Sequence, residues 1–171
     1  RAGPGLEEVC RRLGVTLRVE ATDFGRRGHS PANRENPCFL CARLRRQRLF
    51  EIAEALGCGT LALGHTQDDI IETLFLNMLY AGEISSMRPA QELFNGRFTI
   101  IRPLAYAGEA LIDRFVRDQG LPAVENSCPT ARTSRRQSVK RMLGELYRSN
   151  PNIRGNLFRS LRHVKTEYLL K

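Results

Sequence analysis

The 171-residue sequence has no long apolar run, no internal repeat and no low-complexity tract. A membrane-spanning helix needs about 18 consecutive apolar residues, so none is predicted. No stretch has the pattern of a secretory signal. With 42% hydrophobic and 26% charged residues, the composition is that of a globular protein, and the length suits one domain with its own core.

Acidic residues are scarce in the last forty positions. Residues 132–171 carry eleven basic side chains against Glu145 and Glu167, whereas residues 1–131 carry 16 basic and 16 acidic ones. The whole net charge of +9 therefore lies in the C-terminal segment. A local surplus of this kind favours a nucleic-acid-binding surface. The alternative is a solvated helical face in a chain that uses 24 arginines and three lysines.

The five cysteines are an odd number, which argues against a disulfide scaffold. Cys10 and Cys58 are predicted to be inert core residues. Cys38 and Cys41 form a C-x-x-C pair in front of an arginine-rich helix, whose N-terminus and guanidinium groups favour thiolates. Cys128 is followed by proline, an order common in iron–sulfur ligation.

The C-x-x-C spacing is typical of zinc sites, iron–sulfur sites and dithiol redox pairs alike. Together with Cys128, the pair provides three thiolates, which could hold a four-iron cluster with one iron open to another ligand such as sulfide. A zinc site would need a fourth ligand, for which His29 and His65 are candidates without convincing spacing.

Predicted strands alternate with predicted helices, which indicates an α/β fold with a parallel sheet flanked by helices. The predicted domains are an α/β catalytic core over 1–131 and a basic helical segment over 132–171 that packs on it. Ligands in such sheets bind beyond the carboxyl ends of the strands. The predicted strands are 15–24, 60–65 and 98–104, a loop follows at 25–37, and the predicted helices are 5–14, 39–56, one containing 70–79, 108–119, 134–148 and 152–164.

Two motifs lie at such strand ends: Arg102-Pro103, and Gly64-His65 followed by two carboxylates, Asp68 and Asp69. Paired carboxylates there could hold Mg²⁺ with a nucleotide phosphate. The structural alternative is a helix cap by Thr66 with Asp69 as its capping-box partner, which explains Asp69 fully and Asp68 in part.

Four segments carry a resemblance to a known family: PCFLCARLRRQRLFEIAEALG, LALGHTQDDIIETLFLNMLYAG, IRPLAYAGEALIDRF and CPTARTSRRQSVKRML. In this order and spacing they resemble the tRNA 2-thiocytidine synthetase (TtcA-like) family of the PP-loop ATP-pyrophosphatase superfamily. The resemblance spans roughly residues 15 to 148.

The resemblance implies an ATP-dependent, iron–sulfur-dependent tRNA sulfurtransferase. ATP would adenylate the C2 oxygen of an anticodon-loop cytidine, and sulfur carried on a [4Fe-4S] cluster would then displace AMP. The implied cluster ligands are Cys38, Cys41 and Cys128, and the implied ATP and Mg²⁺ site comprises Gly64, His65, Asp68 and Asp69.

The resemblance also implies catalytic roles for Asp69 and for Arg45, which would contact phosphate or the sulfur donor. The basic residues 132–164 would bind tRNA. A cytoplasmic homodimer is expected, with a cysteine desulfurase or sulfide as the sulfur donor.

The phosphate-binding S-G-G-x-D-S motif of that superfamily does not occur in the 171 residues, and family members carry it upstream of the matched region. The sequence is therefore expected to represent part of the family's fold. One alternative is another tRNA-modifying PP-loop enzyme, a thiouridine synthetase or a lysidine-type ligase. The non-enzymatic alternative is an RNA-binding module stabilised by a metal at the three cysteines.

Overall fold

The computed structural model describes residues 5–123, 128–130 and 133–170. The chain divides into two compact units. Unit 1 comprises Arg1–Leu61 and Ala110–Ala131, and unit 2 comprises Ala62–Glu109 and Arg132–Lys171. The predicted domain boundary between residues 131 and 132 lies outside the described residues and stays a prediction.

The main element of unit 1 is a long helix, α3 (Pro37–Ala55), which follows α1 (Leu6–Arg12) and α2 (Phe24–Gly28). Asn36 caps α3, because its side-chain oxygen accepts hydrogen bonds from the backbone N–H of Cys38 and Phe39 at 3.0 and 3.3 Å. Pro37 occupies the first helical position, where its missing N–H costs nothing. The helix therefore begins two residues before the predicted start.

Three predictions for unit 1 are wrong in detail. Residues 15–23 form no strand with any described segment. Their alternating apolar residues match the pattern of a strand, but a strand also needs a neighbouring segment to hydrogen-bond with. Helix α2 begins at Phe24, the last residue of the predicted strand, and continues into the predicted loop over 25–37. Of the predicted apolar face of α3, Ala53 is buried, whereas Leu56 at the last turn is 60% exposed.

A three-stranded sheet lies next along the chain, and its first strand, β1 (Thr60–Ala62), ends in unit 2. The strand order is β1-β3-β2, with β2 at Ala90–Leu93 and β3 at Phe98–Ile101. Strand β2 runs antiparallel to β3. The sequence did not predict β2, although its turn contains Asn95-Gly96, a strong hairpin signal with both residues at positive φ. The α/β class with flanking helices is confirmed, and the hairpin adds an antiparallel strand to the predicted sheet.

The core of unit 2 is made by α4 (Gln67–Tyr80) and α6 (Arg135–Ser149). The α4 residues predicted to form one apolar face include Ile71, which is fully buried, and its partners Val139 and Leu143 on α6 are 2% exposed. Helix α7 (Asn152–Ser160) adds Leu157 and Phe158 to the edge of this cluster. The basic C-terminal residues thus belong to helices whose apolar sides build the core of unit 2.

The remaining helix is α5 (Glu109–Asp118), and residues Thr166–Tyr168 form a short 3₁₀ turn. Helices α5, α6 and α7 lie where the sequence predicted helices, and each end is within four residues of its predicted position. Across the described ranges, no helix is both long and apolar enough to cross a membrane.

Candidate active site

Two of the three predicted thiol ligands meet in unit 1. Cys38, in the first turn of α3, has its Sγ 3.5 Å from the Thr130 hydroxyl oxygen. The Sγ of Cys128 lies 3.4 Å from the same oxygen. His29, directly after α2, places Nε2 at 3.7 Å from the Cys128 Sγ. Thr130 therefore links two cysteines that are far apart in the sequence, and His29 completes the group.

The surroundings of Cys128 favour its thiolate. Hydrogen bonds from Thr130, and then from His29, lower the pKa of the Cys128 thiol to about 7. The sulfur is thus substantially ionised near neutral pH, which is the form that metals bind.

Cys41 lies one turn after Cys38 on α3 and lines a cavity of about 460 Å³ that neither Cys38 nor Cys128 lines. None of the five cysteines, all within the described ranges, forms a disulfide. Among the described residues, no three His, Cys, Asp or Glu side chains lie close enough together to hold a metal ion. Three thiols are the kind of ligand that binds an iron–sulfur cluster. Those of Cys38 and Cys128 lie together at Thr130, and Cys41 is one helical turn from Cys38.

Four charged side chains line this cavity: Arg18, Glu20, Arg45 and Arg48. Glu20 accepts hydrogen bonds from Arg48 at 2.9 Å and from Arg18 at 2.7 Å, and these contacts lower the pKa of its carboxyl group. Arg45 lines the same cavity but makes no hydrogen bond or ion pair with another described side chain. Its guanidinium is therefore available to an anionic ligand, as the sequence prediction requires.

The remaining two cysteines are peripheral. Cys58 is exposed, so its prediction as a core residue is wrong, because it lies in the turn that follows Gly57 at the end of α3. Cys10 is partly buried in α1.

Gly28 determines how closely α2 approaches α3. A Cβ atom at this position would lie 2.9 Å from the Pro37 carbonyl oxygen, closer than a real Cβ tolerates. Gly28→Ala is therefore expected to lower the free energy of unfolding by about 1–3 kcal/mol, as overpacking does. Urea titration of the whole protein measures this change.

The matched control is Gly25→Ala in the same short helix, where no atom lies within 4 Å of the new Cβ. That variant should be as stable as the wild type or more stable, because alanine favours helix over glycine. Equal stability of the two variants would contradict the close approach at Gly28.

In unit 2, the motif Gly64-His65-Thr66 joins β1 to α4. Asp69 Oδ2 accepts the Thr66 N–H at 2.9 Å, and the Thr66 hydroxyl oxygen accepts the Asp69 N–H at 3.4 Å. This capping box confirms the structural explanation offered for Asp69. A second contact comes from Arg136, whose guanidinium lies 3.4 Å from Asp69 and 2.9 Å from Glu72.

Asp68 is 7% exposed and is also bound by protein groups. Its Oδ2 accepts the backbone N–H of Glu109 at 2.7 Å, and its Oδ1 lies 3.1 Å from Nε of Arg154 on α7. A carboxylate offers about four acceptor positions, and these two contacts use only two of them. The sequence did not identify Arg154, and no local signal could have done so.

His65 is oriented by Arg102. The Arg102 Nε donates to His65 Nδ1 at 3.3 Å, and its Nη1 donates to the Arg88 carbonyl oxygen at 2.5 Å. Because Nδ1 accepts, the proton of a neutral His65 is on Nε2. Gly64 has no atom within 4 Å of the place that a Cβ would take, so the backbone there is open to a ligand.

The predicted site residues therefore lie in two groups. Unit 1 holds Cys38, Cys41, Cys128 and Arg45, and unit 2 holds Gly64, His65, Asp68 and Asp69. Besides these, the structure adds His29, considered from the sequence only as a zinc ligand, and Thr130, whose position two residues after Cys128 was the one available signal.

Comparison with known proteins gives a consistent result. The model of the PP-loop domain family matches residues 4–146. A tRNA-cytidine(32) 2-sulfurtransferase of Geobacter sulfurreducens is 43% identical over 78% of this chain and 52% of its own length. The protein of the same name from Polynucleobacter asymbioticus is 37% identical over 96% of this chain and 55% of its own length. The chain thus spans about half the length of these curated relatives.

A solved structure shares the fold. The U34-tRNA thiolase NcsA from Methanococcus maripaludis, determined with its [4Fe-4S] cluster, matches with a TM-score of 0.71. The match covers 99% of this chain and 59% of that one at 19% sequence identity.

Proposed function

We propose, since the chain belongs to the PP-loop domain family, that it is part of an ATP-dependent tRNA sulfurtransferase that converts an anticodon-loop cytidine to 2-thiocytidine. The observation that carries this proposal is the meeting of Cys38 and Cys128 at Thr130. It occurs in a chain whose curated relatives are named tRNA-cytidine(32) 2-sulfurtransferases.

Cys38, Cys41 and Cys128 would hold a [4Fe-4S] cluster, which when bound supplies an iron that can carry the transferred sulfur. The hydrogen bonds at Cys128 lower the pKa of its thiol and favour the thiolate form of this ligand. Thr130 orients two of the sulfurs through one hydroxyl group. Arg45, free of protein partners in the described chain, would hold an anion, either a phosphate or the incoming sulfur.

The reaction needs the cytidine C2 oxygen to become a leaving group. Attack of that oxygen on the α-phosphorus of ATP forms a C2–O–AMP ester and releases pyrophosphate. Sulfide then adds at C2, and AMP leaves with the oxygen. Asp68 and Asp69, at the positive end of α4, would hold Mg²⁺, which neutralises the phosphates. Gly64 and His65 would border the nucleotide on the open backbone before the helix.

The sulfur source in this proposal is sulfide or a cysteine desulfurase, the assembly is a homodimer, and tRNA modification takes place in the cytoplasm. The basic residues 132–164 would bind the tRNA. These four features follow from the family resemblance, and each can be measured directly.

The test uses the whole protein, purified without oxygen. Iron, acid-labile sulfide and zinc are measured, and tRNA is then incubated with the protein, ATP, Mg²⁺ and sulfide. We expect about four irons and four sulfides per chain, and 2-thiocytidine only when ATP is present. Omission of ATP is the control for unspecific sulfur incorporation.

A second function has a specific observation in its favour. His29 Nε2 lies 3.7 Å from the Cys128 Sγ and would add a nitrogen to the three thiols, and a Cys₃His set is a structural zinc site. Stoichiometric zinc without iron, together with tRNA binding that does not depend on ATP, would contradict the proposed sulfurtransferase function. It would favour a metal-stabilised RNA-binding module. Thiouridine or lysidine as the product would instead indicate another PP-loop enzyme.

A further inference from the structure

The basic side chains of the C-terminal segment are not equivalent. Six of them are engaged within unit 2. Four contact polar groups: Arg136 with Glu72, Lys140 with Glu109 at 2.6 Å, Arg154 with Asp68, and Arg162 with the Tyr106 hydroxyl at 2.5 Å. Two lie over aromatic rings: Arg135 at 4.6 Å from the Tyr80 ring centre and Lys165 at 5.8 Å from that of Tyr168. These cations neutralise acids of the same unit or bind its aromatic residues. They cannot also be the main contacts to an external polyanion without losing those partners.

Helix α6 carries a different set on its outer side. Val139 and Leu143 define its buried side. At 100° per residue, the side opposite to them carries Gln137, Arg141, Gly144, Glu145 and Arg148. We name this set of residues the outer stripe of α6.

The two arginines of the outer stripe are exposed, and neither makes a hydrogen bond or ion pair with another described side chain. They are seven residues apart, which corresponds to about 10 Å along the helix. Glu145, the one acidic residue of α6, lies in the stripe between the two arginines and pairs with neither of them in the described chain. Two free, aligned cations on one rigid helix fit a partner with repeated negative charges.

Gly144 lies between the two arginines. Glycine is disfavoured in a helix interior, and here no close packing requires it. A Cβ at this position would meet only the guanidinium of Arg148, at 4.0 Å. The helix surface at Gly144 therefore carries no side chain, so a sugar-phosphate chain can approach the backbone there closely.

We propose that the outer stripe of α6 is the surface that binds the phosphate backbone of RNA. Arg141 and Arg148 contact separate phosphates, and Gly144 gives the strand room between them. The identity of the RNA as tRNA rests on the proposed function, whereas the choice of these two arginines rests on their exposure and lack of protein partners.

The test compares tRNA binding by the whole protein between 50 and 200 mM salt. In the Arg141→Gln/Arg148→Gln double variant, the slope of log affinity against log salt should fall by about 1.4–1.8, since each phosphate contact contributes about 0.7–0.9. The matched control is Arg114→Gln/Arg117→Gln on α5, which removes the same charge from exposed positions of an acidic helix. Its slope should stay at the wild-type value.

An unchanged slope in the α6 variant would overturn the proposal, and so would equal losses in both variants, which would indicate a general effect of net charge. Gly144→Ala should raise Tm and weaken tRNA binding; unchanged binding would overturn the close approach at this residue. Thiolation of tRNA is measured on the same proteins. If the wild-type protein thiolates tRNA and the α6 variant keeps the wild-type salt slope, only the proposal for the outer stripe is wrong. If the wild-type protein neither binds nor thiolates tRNA, both the outer-stripe proposal and the proposed function are wrong.

Discussion

Cys128→Ser is expected to lower tRNA thiolation by at least about 100-fold, because changing a group that only supports a metal ligand already costs about 10- to 100-fold. The Sγ of Cys128 lies beside Thr130 and His29, which lower the pKa of the thiol to about 7 and favour its metal-binding form. Serine remains protonated at neutral pH and is a poor ligand for iron. Its hydroxyl can still hydrogen-bond to both neighbours, so the free energy of unfolding should change by only about 0.5 kcal/mol.

The matched control is Cys58→Ser. Cys58 is exposed, and its Sγ lies at 3.8 Å from the Leu56 carbonyl oxygen. This variant should keep its iron and its activity. Iron content, thiocytidine formation and urea titration are measured on both variants. Full thiolation by Cys128→Ser would show that this cysteine is not a cluster ligand, and an equal loss in Cys58→Ser would indicate unspecific damage.

Features encoded by residues close in sequence were predictable. The apolar spacing of α4 predicted its buried face, and the three-residue separation of Thr66 and Asp69 predicted the capping box. Strand β2 was missed because alanine, glutamine and glutamate are weak strand formers, and its pairing with β3 supplies what its propensity lacks. The error over residues 15–23 was the reverse. Their alternating pattern predicted a strand that does not form, because a strand depends on a partner that no local pattern provides.

The candidate site divides along the same line. Cys38 and Cys41 could be paired from their spacing, and the position of Cys38 at a helix N-terminus was predicted correctly. The contact of Cys38 with Thr130 joins residues 92 positions apart. The Cys-Pro order suggested Cys128 as a third ligand, but no local pattern indicated that it meets Cys38 at Thr130. The binding of Asp68 by Arg154 is likewise long-range, and neither residue type nor spacing announces it.

Asp68→Asn is expected to lower both the stability of the protein and its thiolation activity, because the Asp68 carboxylate pairs with Arg154 and is a proposed Mg²⁺ ligand. Removing one partner of a buried ion pair costs about 3–5 kcal/mol. The Arg154 side chain is 35% exposed, so solvent reduces this penalty, and we expect a loss of about 2 kcal/mol in unfolding free energy. The amide keeps an oxygen for the Glu109 N–H. Thiolation should fall further than the fraction of folded protein, because the amide is a weaker Mg²⁺ ligand.

A double-mutant cycle separates the two roles. In Asp68→Asn/Arg154→Gln the guanidinium that has lost its carboxylate is gone, together with its contact to the Tyr147 ring at 4.7 Å. About 1 kcal/mol of stability should therefore return, within the usual range for coupled neighbours. Thiolation should not return, because the magnesium ligand is still missing. The control Asp113→Asn, at an exposed α5 position without an ion pair in the described chain, should change neither quantity. If activity recovers together with stability, Asp68 acts only by holding α7, and the Mg²⁺ site must be built from other residues.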